Sequence, residues 1–377
     1  MDFKKNKSTE LAVLDLQSKI VMSLEKNEYP CTIFLDFAKA FDTVNHKILI
    51  NKLEYYGIRG KPLEWFKSYL SNRKQCVSIN DSALGPLLFL ISINDITSSS
   101  NLVDFYLFAD DTSLFYSCKT KDSLQNTLNC ELEKLLRWLI ANKLTLNVDK
   151  SNVLLFRPKN ASNELNLELE INGEKLIEKH CAKYLGIIID NKLTFSDHIS
   201  QLNQKLTKGN CLLAKLRHFV PSKILKNLYY AHIQPFLEYG TLVWSMASET
   251  NLKTVSSLQN RSIRIIHFKN KDHHVFPLYK EGKVLPLDSL IKLAHGKLLW
   301  QAKNGFLPES TVDIYLNHGV LANSRNPDKL ILPYRRTDIG KSFFTFKGVK
   351  IWNNIPEHLT CCKTIKAFKT SYKEYLE

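Results

Sequence analysis

The sequence predicts an α+β body followed by an α-rich appendage. Three observations carry this. Short apolar runs bounded by Pro, Asn or Asp alternate with helical periodicities as far as about residue 190. From about Thr194 onward helical patterns dominate. Hydrophobic residues make up 44% and charged residues 24% of 377 positions, enough apolar surface for two to three packed domains.

The elements follow in order. Val13, Leu16, Ile20 and Leu24 recur at helical spacing behind Thr9, a suitable N-cap, so a helix is expected from about Thr9 to Lys26. Cys31 to Leu35 is short and apolar after Pro30, which reads as a buried strand. Val44, Ile48, Leu49, Leu53 and Tyr56 then share a helical side, with Gly57 as the stop. Pro62 opens a further helix through Leu63, Phe66 and Leu70, because the first helical turn has no partner for the N–H that proline lacks. Cys76 to Asn80 reads as a strand and Pro86 to Ile96 as an apolar helix. Leu102 to Phe108 and Ser113 to Tyr116 are strand-like runs around Ala-Asp-Asp-Thr, hence a hairpin with two acids at its tip. Leu124, Leu128, Leu132, Leu135 and Leu139 mark a strongly amphipathic helix. Val153 to Phe156 and Tyr184 to Ile189 read as further strands. Beyond them the cations Lys205, Lys208, Lys215, Arg217, Lys223 and Lys226 crowd a helical stretch.

Composition narrows the partners. The net charge is +15, from 52 basic and 37 acidic residues. Such an excess favours a polyanion, because neutralising phosphates releases counterions, although an anionic membrane surface attracts the same charge. None of the eight cysteines forms a C-x-x-C pair, and His180-Cys181 and His273-His274 lack partners at zinc spacing. Buried, reduced thiols in an intracellular protein are expected. Lys4, Lys5 and Lys7 lead into an amphipathic segment rather than a secretory signal. The longest apolar run, Leu84 to Ile93, is about half of the ~20 residues a membrane helix needs.

The chemistry centres on three acids. Asp36 directly follows the apolar run Ile33-Phe34-Leu35, and Asp110 and Asp111 occupy the hairpin tip. Clustered carboxylates repel one another and lose solvation, so apolar strands that deliver them need a reason. A hard divalent cation supplies one, since Mg²⁺ prefers carboxylate oxygen together with substrate phosphate. Spacing alone leaves a second reading open, in which Asp110-Asp111 makes a polar turn and Asp36 caps the next helix.

Five motifs stand in order, at Phe34 to Val44, Leu84 to Asp95, Phe108 to Asp111, Leu144 to Ser151 and Lys183 to Asp190; together they resemble those of the reverse transcriptases of non-LTR, LINE-type retrotransposons, with the wider likeness running from Phe3 through at least Phe268 and nearest to jockey-like elements. Phe34-Leu-Asp-Phe-Ala-Lys-Ala-Phe-Asp-Thr-Val44 is similar to their first catalytic motif, and Phe108-Ala-Asp-Asp111 to the F/Y-x-D-D hairpin. Leu84 to Asp95 resembles the helix between them, Leu144 to Ser151 the fourth motif, and Lys183 to Asp190 the primer-grip region. The resemblance implies a right-hand polymerase palm, an antiparallel sheet backed by helices, over residues 28–190, with residual fingers over 1–27. A helical thumb over 191–270 and a mostly helical C-terminal region over 271–377 would follow.

It also implies RNA-directed DNA polymerisation on two Mg²⁺ ions, with Mn²⁺ as a substitute. The partners would be an RNA template, a DNA primer and deoxynucleoside triphosphates, in a nuclear or cytoplasmic ribonucleoprotein. Asp36 and Asp110 would be the main ligands of both metals, with Asp111 less direct. Phe37 would offer its backbone to the triphosphate. Phe41 falls at the sugar-gate position, where a bulky ring would exclude a ribose 2′-hydroxyl; a plain core phenylalanine is the alternative. Lys150 falls at the lysine that protonates diphosphate, as against a solvated surface lysine. Tyr184, Leu185 and Gly186 would form the primer grip. Lys205, Lys208, Lys215 and Arg217, with Arg261 and Arg264, would follow template–primer phosphates. Leu212, Leu213, Leu216, Tyr229 and Trp244 are expected to pack the thumb core, and Trp352 to anchor the C-terminal region.

Three departures from the family pattern bear on activity. Met1 to Thr9 resembles the end of a fingers motif, so the upstream fingers strands and endonuclease are expected to be missing. Ile79-Asn-Asp-Ser-Ala-Leu-Gly-Pro86 lacks the G-V-P-Q-G loop that approaches the nascent base pair. No Cys/His nucleic-acid motif follows the polymerase region. A working polymerase and an inactive remnant that at most binds nucleic acid both remain open on these grounds.

Overall fold

A computed structural model describes residues 8–38, 43–71, 84–158, 166–307, 322–323 and 326–377. Phe41, with Lys39 and Asp42, and the expected strand at Cys76 to Asn80 lie outside the described residues. The fold mixes helices and strands, as the sequence predicts, and its contacts divide into two units. Of the described residues, one holds 26–182 and the other 8–25 together with 183–377.

The first unit is built on strand β1, Tyr29–Leu35, which is buried on both faces from Pro30 onward. Within the sheet it has a neighbour along each edge. Antiparallel β3 (Asp111–Cys118) flanks it on one side and antiparallel β4 (Asn152–Leu155) on the other. β2 (Asp104–Phe108) pairs outside β3, and the two-residue strand Ile177–Glu178 pairs with β4, giving a five-stranded sheet. That last pairing is parallel, so the sheet departs from the wholly antiparallel one expected. Its strand is pinned by the ion pair Arg157–Glu178 at 2.6 Å.

The five leucines of the amphipathic helix, Lys121–Asn142, all lie in the core with Cys31, Ile33 and Leu35 of β1. Each such side chain contributes roughly 1.5–3 kcal/mol by leaving water. Thr120 caps the helix by accepting from Ser123 N. The helices His46–Tyr55, Lys61–Leu70 and Leu84–Ile93 form a second cluster around Leu49, Leu53, Leu63, Leu70 and Leu88.

The second unit is mainly helical. Helix α1, Thr9–Glu25, buries Val13, Leu16, Ile20 and Leu24 as its periodicity predicts. Its Glu10 carboxylate accepts from Leu242 N, and Glu25 accepts from Arg336 N and Thr337 N. A hairpin of Cys181–Tyr184 and Ile187–Asp190 leads into long helices at Ser196–Leu216 and Glu249–Ile266, which pack together. Leu213, Tyr229 and Trp244 are buried as expected, whereas Leu212 is exposed and Leu216 half-buried. Helix Leu287–Lys303 packs on Phe344–Asn353 and Ile365–Leu376 through Trp300, Trp352 and Phe368.

The cysteines differ from expectation. Of those described, only Cys31 is buried, while Cys130, Cys211 and Cys361 are exposed. Cys130 sits two positions from Leu128 and Leu132, which turns it away from the helix face those leucines bury. Among the described residues no helix is long and apolar enough to cross a membrane.

Candidate active site

The β2–β3 hairpin closes in two residues. Phe108 pairs with Asp111, which leaves Ala109 and Asp110 as the turn and makes Asp111 the first residue of β3. Ala109 carries φ 52°, a left-handed conformation that costs a side-chain-bearing residue roughly 1–2 kcal/mol. On the other side of β3, Leu35 of β1 lies opposite Thr112. Asp36 is the residue after Leu35, and Asp111 is the residue before Thr112. The sheet thus places the strand end that leads into Asp36 beside the strand that begins at Asp111. Asp36 is half-buried, and Asp110 and Asp111 are exposed.

Asp36 is braced through its backbone. Its N–H donates to Ser151 Oγ at 3.1 Å, and its carbonyl accepts from Asn147 N at 2.8 Å. Ser151 Oγ donates in turn to Asn147 O at 2.8 Å. Ala38 N donates to Thr145 O, and Phe37 bridges Leu146. In a bridge with these flanking bonds, Phe37 directs its own N–H and C=O away from the loop. Lys150 is exposed on this same loop, where its N–H donates to Asn147 Oδ1. The sequence singled out Lys150 but gave no sign of Ser151 or Asn147 as braces.

Among the described residues no three His, Cys, Asp or Glu side chains are gathered closely enough to hold a metal ion. The donor set nonetheless suits Mg²⁺, which takes one or two carboxylates and completes its octahedron with water and substrate phosphate.

In the second unit the apolar run Tyr184 to Ile189 is not one strand. It breaks at Leu185 and Gly186, with φ 45° and 81°, the paired positive values of a tight hairpin turn. Tyr184 is buried. His198 Nδ1 accepts from Ile188 N; burial, and then the Lys205 charge, push the ring's pKa down to about 4, so it is neutral at neutral pH. The Asp190 carboxylate accepts from Lys192 N, Thr194 N and Phe195 N and fixes the exit into helix Ser196–Leu216. Lys205, Lys208 and Lys215 are exposed on that helix. Arg217 is half-buried, 5.7 Å from the Phe268 ring. Gly186 and Lys205 line one groove with Lys183 and Tyr239, while Lys208 lines another.

Comparison with known proteins bears on this arrangement. The chain is 29% identical over 300 residues to the probable RNA-directed DNA polymerase from transposon BS of Drosophila melanogaster, covering 70% of this chain and 32% of that one. It is 28% identical over 274 residues to the RNA-directed DNA polymerase from mobile element jockey of the same fly, covering 65% and 29%. The chain therefore spans about a third of the length of these relatives. A telomerase from Candida albicans overlays at TM-score 0.31 with 12% identity, covering 77% of this chain and 50% of that one, too loosely to bear on the fold. Residues 1–189 match the family described as reverse transcriptase (RNA-dependent DNA polymerase). The acids at the ends of β1 and the hairpin thus fall inside the matched segment, and the chain belongs to the reverse transcriptases, in their non-LTR, LINE-type branch.

Proposed function

We propose that residues 28–190 act as a polymerase palm and that the chain carries RNA-directed DNA polymerisation, extending a primer 3′-hydroxyl and releasing diphosphate. The supporting observation is one acid at the end of the central strand beside two acids at the hairpin tip, in a chain of this family. Asp36 and Asp110 would hold two Mg²⁺ ions, with Asp111 contributing less directly. When bound, such ions offset charge on the attacking and leaving oxygens.

The protein's own groups divide the remaining work. Phe37, with its N–H and C=O turned from the loop, would meet the incoming triphosphate. Lys150, exposed on the loop that braces Asp36, would deliver a proton to the diphosphate. The Leu185–Gly186 turn would act as the primer grip. The helices from Ser196 onward would act as a thumb, with Lys205, Lys208, Lys215 and Arg217 following template–primer phosphates.

Oligo-dT extension on poly-A RNA with Mg²⁺ tests the reading. The purified chain should incorporate deoxynucleotides, and Asp110→Asn should lower the rate by about a thousandfold, since metal ions contribute several kcal/mol to such barriers. A folded chain that binds the duplex without incorporating would refute the polymerase reading in favour of an inactive, nucleic-acid-binding remnant.

A further inference from the structure

The Leu185–Gly186 turn is held from outside its own hairpin. Tyr239 lies in the link between the helices Gln234–Glu238 and Thr241–Trp244, and it donates its hydroxyl to Leu185 O at 2.6 Å. Its ring approaches the turn closely enough that a Cβ built on Gly186 would stand 3.2 Å from the ring's Cε1. Tyr239 is itself fixed at both ends of its backbone. Its N–H donates to Pro235 O, and its carbonyl accepts from Nε1 of the fully buried Trp244 at 2.8 Å. The next residue, Gly240 at φ 64°, approaches β-strand residue Ile187 so closely that a Cβ there would collide with Ile187 Cδ1. Two consecutive residues of one link therefore grip the turn and the strand that leaves it.

The grip matters because the turn borders open space. The Tyr239 side is 44% exposed and, with Lys183, Lys205 and Phe236, lines a groove of about 310 Å³. Leu185 bears a Cβ at positive φ, a strained conformation that relaxes unless something opposes it. Backbone groups hold a strand of any sequence in register only while they stay in place.

We propose that Tyr239 is a positioning residue: it fixes the Leu185–Gly186 turn at the mouth of this groove, so that the turn backbone sets where the 3′ end of a primer strand lies. This rests on the polymerase reading above. Affinity and placement then have separate sources. Lys183 and Lys205 supply charge for the phosphates, while the Tyr239 hydroxyl is spent on Leu185 rather than on the strand. Loss of that hydroxyl should shift the primer end while leaving overall binding nearly unchanged.

The test uses the full chain and a primer–template duplex carrying 2-aminopurine at the primer 3′ terminus. Tyr239→Phe keeps the ring on Gly186 and removes only the hydrogen bond; Tyr239→Ala removes both; Tyr334→Phe, at a side chain 88% exposed, is the control. Tyr239→Phe is expected to speed hydrogen exchange at the Gly186 and Ile187 amides by about tenfold, the equivalent of one hydrogen bond. It should also remove most of the 3′-terminal fluorescence change on binding, with the duplex Kd within about twofold of wild type, as for a change that spares every phosphate contact. Tyr239→Ala should lose at least as much, and the control nothing. Faster exchange with an unchanged 3′-terminal signal would make Tyr239 merely structural and overturn the proposal, as would no change in either. Failure of the wild-type chain to bind the duplex would instead overturn the underlying polymerase reading, and this inference with it.

Discussion

Ser151→Ala removes one oxygen that serves two partners. Ser151 Oγ accepts from Asp36 N at 3.1 Å and donates to Asn147 O at 2.8 Å, and the residue is fully buried. The two losses differ in weight. Asn147 O keeps Ser151 N as a donor, so its loss is about 0.5–1.5 kcal/mol. The Asp36 N–H is left without that acceptor beneath the sheet end, a penalty of about 1–3 kcal/mol. Together the change should destabilise the first unit by about 2–3 kcal/mol and lower its melting temperature by roughly 5–10 °C. Thermal unfolding followed by circular dichroism reads the stability, and amide hydrogen exchange at Asp36 reads the brace itself. A melting temperature within about 1 °C of wild type, with the Asp36 amide still protected, would refute the claim that Ser151 holds Asp36.

Three further outcomes follow from the structure. Burial, then the Lys347 charge, holds His295 down to about 3, and burial, then Lys205, holds His198 to about 4, so both take up protons on unfolding below the ordinary 6.5. The stability they contribute is complete above pH 6.5 and is lost as pH falls toward those values, by about 1.4 kcal/mol per pH unit for each; denaturant midpoints that stay level from pH 7 to 5 would contradict this. Glu178→Ala removes the carboxylate that pairs with Arg157, 3% exposed, and should cost about 3 kcal/mol in urea unfolding, whereas a loss under about 1 kcal/mol would mean the pair is solvated. Lys205→Gln and Lys208→Gln should each lower the slope of log Kd against log salt for duplex binding by about 1, and an unchanged slope would remove that lysine from the phosphate path.

The sequence was most legible where one element explains itself. The leucines from Leu124 to Leu139 repeat over about four turns, and both the helix and its buried face follow from that repeat. The hairpin with Asp110 and Asp111 was equally clear, because polar residues interrupt two apolar runs. Tyr184 to Ile189 was misread because Gly186 is the lone turn signal in a continuous apolar run, and a leucine gives no warning that it will take a positive φ. The parallel strand at Ile177–Glu178 is two residues long, too short for any periodicity to register. Within the site, Asp36 announced itself at the end of an apolar run. Its brace did not, since Ser151 lies 115 positions away, and the Tyr239 contact with Leu185 spans 54. A hydrogen bond between distant positions leaves no local pattern to read.

Helix α1 folds with the far end of the chain, and this has a consequence for biosynthesis. Glu25 takes its hydrogen bond from Thr337 N across 312 positions. At ordinary translation rates of about 5–20 residues per second, α1 waits roughly 15–60 s on the ribosome before that partner exists. Closing a loop of this length costs about 5 kcal/mol of chain entropy. Until Thr241–Trp244, on which α1 packs and where Leu242 N meets Glu10, has emerged, Val13, Leu16, Ile20 and Leu24 form an apolar stripe awaiting its cover, a ready target for holdase chaperones. Residues 26–182, whose own core is drawn from within that stretch, emerge in the meantime with their central sheet complete. The nascent chain therefore passes through a stage in which the sheet bearing the acids is assembled while its first helix is still a client of the cell's folding machinery.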